Sequence, residues 1–111
     1  MSETELSRIA SPIFSQVLNA HQSKNYLMLA ALLSERAKQG ITQDHFIKTA
    51  TDNLGDLMSA KEKIYLGTVN QQDRVQTVWK VKYEHSVHEL LWQMFLVNEG
   101  NEIKVDGLLF S

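Results

Sequence analysis

The apolar residues of this chain change their period once, near residue 60, and that switch limits its fold more than any other feature. Before it they recur at three- and four-residue intervals, as in Leu6, Ile9, Ala10, Ile13, Phe14, Val17 and Leu18, the spacing of one helix face. From Lys61 onward they alternate, the period of a strand with one buried face. Helices followed by strands describe an α+β domain, with a helix layer packed on one antiparallel sheet. A chain of 111 residues, 43% of them hydrophobic and 22% charged, forms one domain over 1–111 with a core that needs no staples.

The pattern predicts three N-terminal helices over about 3–58. Pro12 interrupts the first stripe, and Ser11 in front of it can cap a fresh start with proline at the first helical position, so a break is expected near Ser11. The second helix runs from Tyr26 to about Gln39. Residues 26–33 leave almost no polar face, which marks it as the most buried helix, and Gly40 ends it. Thr42 then caps a third helix, with Phe46, Ile47, Ala50, Leu54, Leu57 and Met58 as its core stripe.

Four strands are expected over about 61–110, at 61–70, 74–85, 87–98 and 102–110. Their short polar links permit only hairpins, hence a curved meander. A two-residue turn at His85-Ser86 sets Tyr83 opposite His88, Val81 opposite Leu90, Trp79 opposite Trp92 and Thr77 opposite Met94. Lys82 then meets Glu89 on the other face, an opposite-charge cross-strand pair. A four-residue loop after Val97 pairs Leu96 with Ile103, Met94 with Val105 and Trp92 with Gly107, where the glycine leaves room for an indole. The Trp79/Trp92 side is the inner face that receives the helices. The outer face carries Val78, Leu91, Phe95, Val97, Leu108 and Phe110 among charged residues, an apolar patch that suits a homodimer interface.

Composition removes several functions. Without cysteine there is no disulfide, thiolate zinc site, iron–sulfur cluster or cysteine nucleophile. A net charge of −2 with mixed signs offers no basic footprint for nucleic acid. The acidic, polar N-terminus lacks the features of a signal peptide, and the longest apolar run is too short to cross a bilayer. A cytoplasmic protein with no membrane partner is expected.

No residue is assigned a catalytic or metal-binding role, and no cofactor is expected. On the inner face Thr77, Tyr83 and His88 are the polar or titratable groups, without a carboxylate to complete an acid–base pair. Tyr83 and His88 could flank a cavity mouth, or be core and rim residues. Trp79 and Trp92 could stack on an apolar ligand, although paired tryptophans on one sheet face usually form core. His85 and His88 stand two residues apart, but nothing completes a tetrahedral metal set. Two classes of function follow. One is a non-enzymatic binding or interaction domain, with a second copy or another protein as partner. The other is a pocket for a small apolar molecule, lined by Tyr26, Leu29, Thr77, Trp79, Tyr83, His88, Trp92 and Met94.

Three helices followed by a curved meander resemble the nuclear transport factor 2-like superfamily, the cystatin-like cone. The run 18–26, ending Lys24-Asn25-Tyr26, is similar to the polar link between the first two helices of such domains, often Gly-Asp-Tyr. The stretch 46–57 looks like their third helix. Ile103-Lys104-Val105-Asp106-Gly107-Leu108-Leu109 is similar to their closing strand, usually Trp-Arg-Val-x-Gly-Tyr, with Ile103 in place of tryptophan and Asn25 in place of aspartate. The ending is close to that of bacterial domains of unknown function. The resemblance implies a cone with a cavity between sheet and helices, and frequently a dimer through the outer sheet face. Some members are enzymes and many others only bind ligands or proteins.

Overall fold

A computed structural model describes residues 3–53, 60–84, 87 and 89–111. Helices α1 (Glu3–Ser23), α2 (Tyr26–Ala30), α3 (Glu35–Gly40) and α4 (Gln43–Lys48) come first, and α4 runs on into a π-helical turn, Thr49–Asn53. Strands β1 (Ala60–Asn70), β2 (Val75–Tyr83), β3 (Glu89–Glu99) and β4 (Glu102–Phe110) follow as one antiparallel sheet in sequence order. The α+β plan, helices before meander, is the one the change of period requires. Among the described residues, no helix is long and apolar enough to cross a membrane. The turn at His85-Ser86, His88 and the stripe residues Leu54, Leu57 and Met58 lie outside the described residues.

The centre of the molecule is aromatic. Trp79 and Trp92 are cross-strand partners, and Phe14 of α1 stacks on Trp79 at 4.7 Å and meets Trp92 edge-on at 5.9 Å. All three are buried. A fully buried side chain of this size contributes about 1.5–3 kcal/mol, so this trio anchors α1 to the sheet. The expected β2–β3 register holds, with Thr77 opposite Met94, Val81 opposite Leu90 and Lys82 opposite Glu89. At the rim Lys63 donates to Ser11 Oγ at 2.7 Å and lies 5.6 Å from the Trp79 ring, closing the side of the core with a cation–π contact.

The helix layer differs from expectation in two places. α1 passes through Pro12 without a break. Leu6, Ala10, Phe14 and Val17 make one buried stripe on both sides of it, while Pro12 and Arg8 are exposed. Water can therefore take the hydrogen bond that proline removes. α1 ends instead at Ser23, and Lys24 after it, with a positive φ of 54°, goes with bonds from Asn25 N to Ala20 O and from Lys24 N to His21 O, a Schellman closure. The expected second helix is two short ones, and it is not the most buried. Leu27 is 83% exposed and Met28 is 39% exposed, whereas Leu29 and Leu33 are buried. It divides because residues 32–34 leave the helix to pair with the outer edge of β4. Val105 N–H donates to Leu32 O at 2.7 Å, and Ser34 N–H donates to Val105 O at 2.9 Å.

The β3–β4 register also differs. Glu99 and Glu102 face each other across Gly100 and Asn101, a two-residue turn in place of four. Gly100 has φ 65°, as the first central residue of a type II′ hairpin requires. Leu96 then faces Val105, but Phe95 faces Gly107. Asp106 is an extra residue with nothing opposite it, a β-bulge. Past the bulge the faces invert, so Leu108 pairs with Met94 and Phe110 with Trp92. Both pack against the core rather than lying on the outer face, and the Phe110 ring stacks on Trp92 at 4.8 Å. Gly107 sits against Phe95, not against an indole: a Cβ there would come 3.4 Å from the Phe95 ring.

Asp106 is the most heavily bonded side chain of this edge. Its Oδ1 accepts from Ser34 Oγ at 2.8 Å and Arg36 Nε at 3.2 Å. Its Oδ2 accepts from Arg36 Nη2 at 2.5 Å and lies 3.5 Å from Arg74 Nη1. Ser34 in turn caps α3, accepting from Ala37 N at 3.1 Å. The Arg36 hydrogen bond, helped by Ser34 and Arg74 against the opposing effect of burial, holds the Asp106 carboxyl below its ordinary value. A lowered acid pKa stabilises the fold at pH above the unfolded value of about 3.9, and that contribution is lost as pH falls through the folded value. Urea denaturation between pH 6 and 2 should therefore show a loss below about pH 4 that Asp106→Asn removes. An acid limb of the same size in both proteins would refute the assignment.

Candidate functional site

Among the described residues, the inner-face side chains expected to line a pocket pack against one another. Leu29, Thr77, Trp79, Trp92 and Met94 are all buried, with exposures of 2% or less. Thr77 donates to Met94 O at 2.9 Å and accepts from Trp79 Nε1 at 3.0 Å. Tyr83, 7% exposed, accepts from Trp92 Nε1 at 3.0 Å, and burial pushes its hydroxyl pKa up. Tyr26 donates to Ile41 O at 2.8 Å and ties α2 to the residue after α3. Of the eight residues expected to line a pocket, seven are described. Six of these pack in the core or bond within the fold, and Trp92 also borders a cleft formed by described residues.

That cleft, of about 250 Å³, opens where the end of α1 and α4 face the last residues of β4. It is lined by His21, His45, Phe46, Thr49, Trp92 and Phe110, with Ile41, Leu108 and Leu109 closing the edge. The inversion at Asp106 creates one wall, because only after it does Phe110 turn inward. The other wall follows from the capping of α4: Thr42 Oγ1 accepts from His45 N at 3.3 Å, which starts the helix that carries Phe46 and leads to Thr49.

His21 forms the polar end. It is 9% exposed, and its ring lies 4.9 Å from Phe46 and 5.3 Å from Trp92, edge-on to both. Nδ1 is 2.8 Å from Val17 O. A carbonyl oxygen only accepts, so the proton of the neutral ring resides on Nδ1 and Nε2 carries a lone pair. Among the described residues no group bonds to Nε2, and His21 lines the cleft. Burial lowers the His21 pKa from 6.5, opposed by the Val17 bond. The cleft therefore presents the neutral His21 acceptor among aromatic rings, with His45 and Thr49 as the other polar lining residues.

Sequence reasoning placed residues 21–25 in a polar link and missed His21. The signal was present, because Phe14, Val17 and His21 stand at intervals of three and four on the buried face of α1. His45 and Thr49 gave none, since their place in the cleft depends on how α4 lies against β4. Among the described residues, no three His, Cys, Asp or Glu side chains gather as metal ligands.

Of the expected outer-face residues, Leu91 is 37% exposed and Val78 and Val97 are half-buried. Phe95 is only 7% exposed, because the Arg74 guanidinium covers its ring at 4.1 Å. Around them Glu62, Lys82, Glu89 and Lys80 form a chain of ion pairs, each at 3.8 Å.

No family model matches the chain, and no curated protein is similar to it. Among solved structures it is similar to the solution structure of a SEC-C motif containing protein from Rhodopseudomonas palustris. The TM-score is 0.56 and the identity 8%, over 82% of this chain and 70% of that one. At that identity the likeness is one of fold alone.

The histidine assignment has a direct check. Nitrogen-15 NMR of the imidazole rings should show His21 as the Nδ1–H tautomer, titrating below 6.5. As a buried base it stabilises the fold while neutral, so its contribution declines as pH falls below the unfolded value of about 6.5. A protonated Nε2 at pH 7 would overturn the picture.

Proposed function

We propose that this chain is a non-enzymatic binding domain whose ligand is a small flat aromatic molecule carrying one N–H or O–H donor, held in the His21 cleft. The observation that supports this is the unbonded Nε2 lone pair at the end of an aromatic cleft. The Trp92, Phe46 and Phe110 rings match a flat apolar body, and Nε2 matches a single donor. Binding is favoured over catalysis by how the titratable groups are used. His21 is oriented by a main-chain carbonyl rather than by a carboxylate, and Tyr83 is bonded to an indole. A cleft between helices and sheet also supports placing the chain in the nuclear transport factor 2-like superfamily.

The test is NMR titration with indole and with 1-methylindole. Indole should shift the resonances of His21, Trp92 and Phe110. The methylated compound should bind about tenfold more weakly, because Nε2 is then left desolvated without a donor. Equal affinities, or no shifts at these residues, would sink the reading.

A second reading, self-association through the outer sheet face, is supported by Leu91. It is exposed opposite Lys80 with Val78 diagonal to it, and it is bordered by a balanced pair of lysines and pair of glutamates. Such a face can meet a copy of itself without net repulsion. Sedimentation should then show a dimer that Leu91→Lys converts to folded monomers. Identical masses for the two proteins would end this reading.

A further inference from the structure

A second cleft, of about 360 Å³, lies on the other side of the 108–109 segment, between α3 and the outer face of β4. Arg36, Arg74, Phe95, Gly107 and Leu109 border it, and Asp106 lies at its base. We propose that Arg36 and Arg74 form a carboxylate-binding site here, for a small monocarboxylate with a flat apolar body.

The argument begins with which donors are already used. Asp106 accepts hydrogen bonds from Ser34 Oγ and from Arg36 Nε and Nη2, and it pairs with Arg74 Nη1 at 3.5 Å by charge. Arg74 Nε is also occupied, by Gln71 Oε1 at 2.9 Å. Arg36 Nη1 and Arg74 Nη2 bond to no protein group among the described residues. Two guanidiniums therefore converge on one buried carboxylate and keep donors for another. The charges agree: two cations against Asp106 leave one positive charge, with the exposed Asp73 the other acid that acts on Arg36.

A shared anchor distinguishes these arginines from ordinary surface ones. Although the Arg36 side chain is 64% exposed and that of Arg74 35%, both head groups pair with the buried Asp106, and the Arg74 guanidinium lies over Phe95 at 4.1 Å. Little side-chain entropy remains to be lost when an anion arrives. The space beside them is apolar and open. Leu109 is 56% exposed, and with Ala37, Ile41 and Leu108 it borders an apolar strip along β4 for the ligand's body. A planar carboxylate fits the fork geometry of guanidinium donors, and the volume lies at the small end for ligand sites.

Benzoate is the probe and benzamide its uncharged counterpart, followed by calorimetry and by NMR of the arginine Nε–H groups. Benzoate should shift the Arg36 and Arg74 signals, and benzamide should bind at least about tenfold more weakly. Asp106→Asn keeps the side-chain shape and removes the competing charge, so benzoate should bind it more tightly than wild type. Arg36→Gln should weaken binding about tenfold. Because Arg36→Gln strands a buried carboxylate, the double variant Arg36→Gln with Asp106→Asn provides a version without that charge, and it too should bind more weakly than Asp106→Asn. The proposal is overturned if benzamide equals benzoate, if Asp106→Asn loosens binding, or if the double variant binds as well as Asp106→Asn. Benzoate shifts confined to His21 and Trp92 would overturn it as well, and would assign the carboxylate to the other cleft.

Discussion

A strand carries its side chains to alternate faces, so one extra residue reverses everything that follows it. Asp106 is that residue, and most of the functional geometry depends on it. Before it, Val105 faces the core. After it, Leu108 and Phe110 turn inward, so two apolar side chains join the core from positions where plain alternation would expose them. The bulge also leaves a carboxylate at the sheet edge with no cross-strand neighbour, and residues 32–36 supply its partners. The main chain of Leu32 and Ser34 pairs with Val105, and Ser34 and Arg36 bind the Asp106 side chain.

This arrangement also answers a general difficulty of open sheets. The free edge of β4 would expose unpaired main-chain groups, and the 32–34 segment covers part of it. At the opposite edge β1 is irregular, with register breaks between Ala60 and Glu62 and between Tyr65 and Gly67. Such breaks bend the strand and spoil it as a template for further pairing. The two edges are thus protected by different means, one by cover and one by distortion. The cover divides what the pattern suggested was a single second helix.

Around the Trp79–Trp92–Phe14 centre the polar groups are consistently satisfied. Among the described residues no side-chain nitrogen or oxygen that is itself cut off from solvent lacks a hydrogen bond, and the unbonded His21 Nε2 is not such an atom. Thr77 and Tyr83 receive the two indole N–H groups, so the described residues of the inner face pack as core. Chemical opportunity is displaced to the periphery, on either side of the 108–109 segment. His21 offers an acceptor on one side, and Arg36 and Arg74 offer donors on the other. The clefts have opposite polarity, and an occupant of one is poorly matched to the other.

The sequence by itself determined the α+β plan, the order of helices before meander, the Thr42 cap, and the β2–β3 register with its Trp79–Trp92 pair. These rest on local periodicity or on a face pattern that one slip would ruin, so they can be read without knowing the rest of the chain. It also held the position of His21, since helical periodicity continues from Phe14 and Val17. What only the tertiary structure decided was the bulge at Asp106, the division of the second helix, the continuity of α1 through Pro12 and both clefts. A bulge leaves no mark on composition, because a single inserted residue is stabilised by partners some seventy positions away, Ser34 and Arg36. The inward turn of Phe110, and with it the wall of the His21 cleft, follows from that long-range contact and not from any local preference.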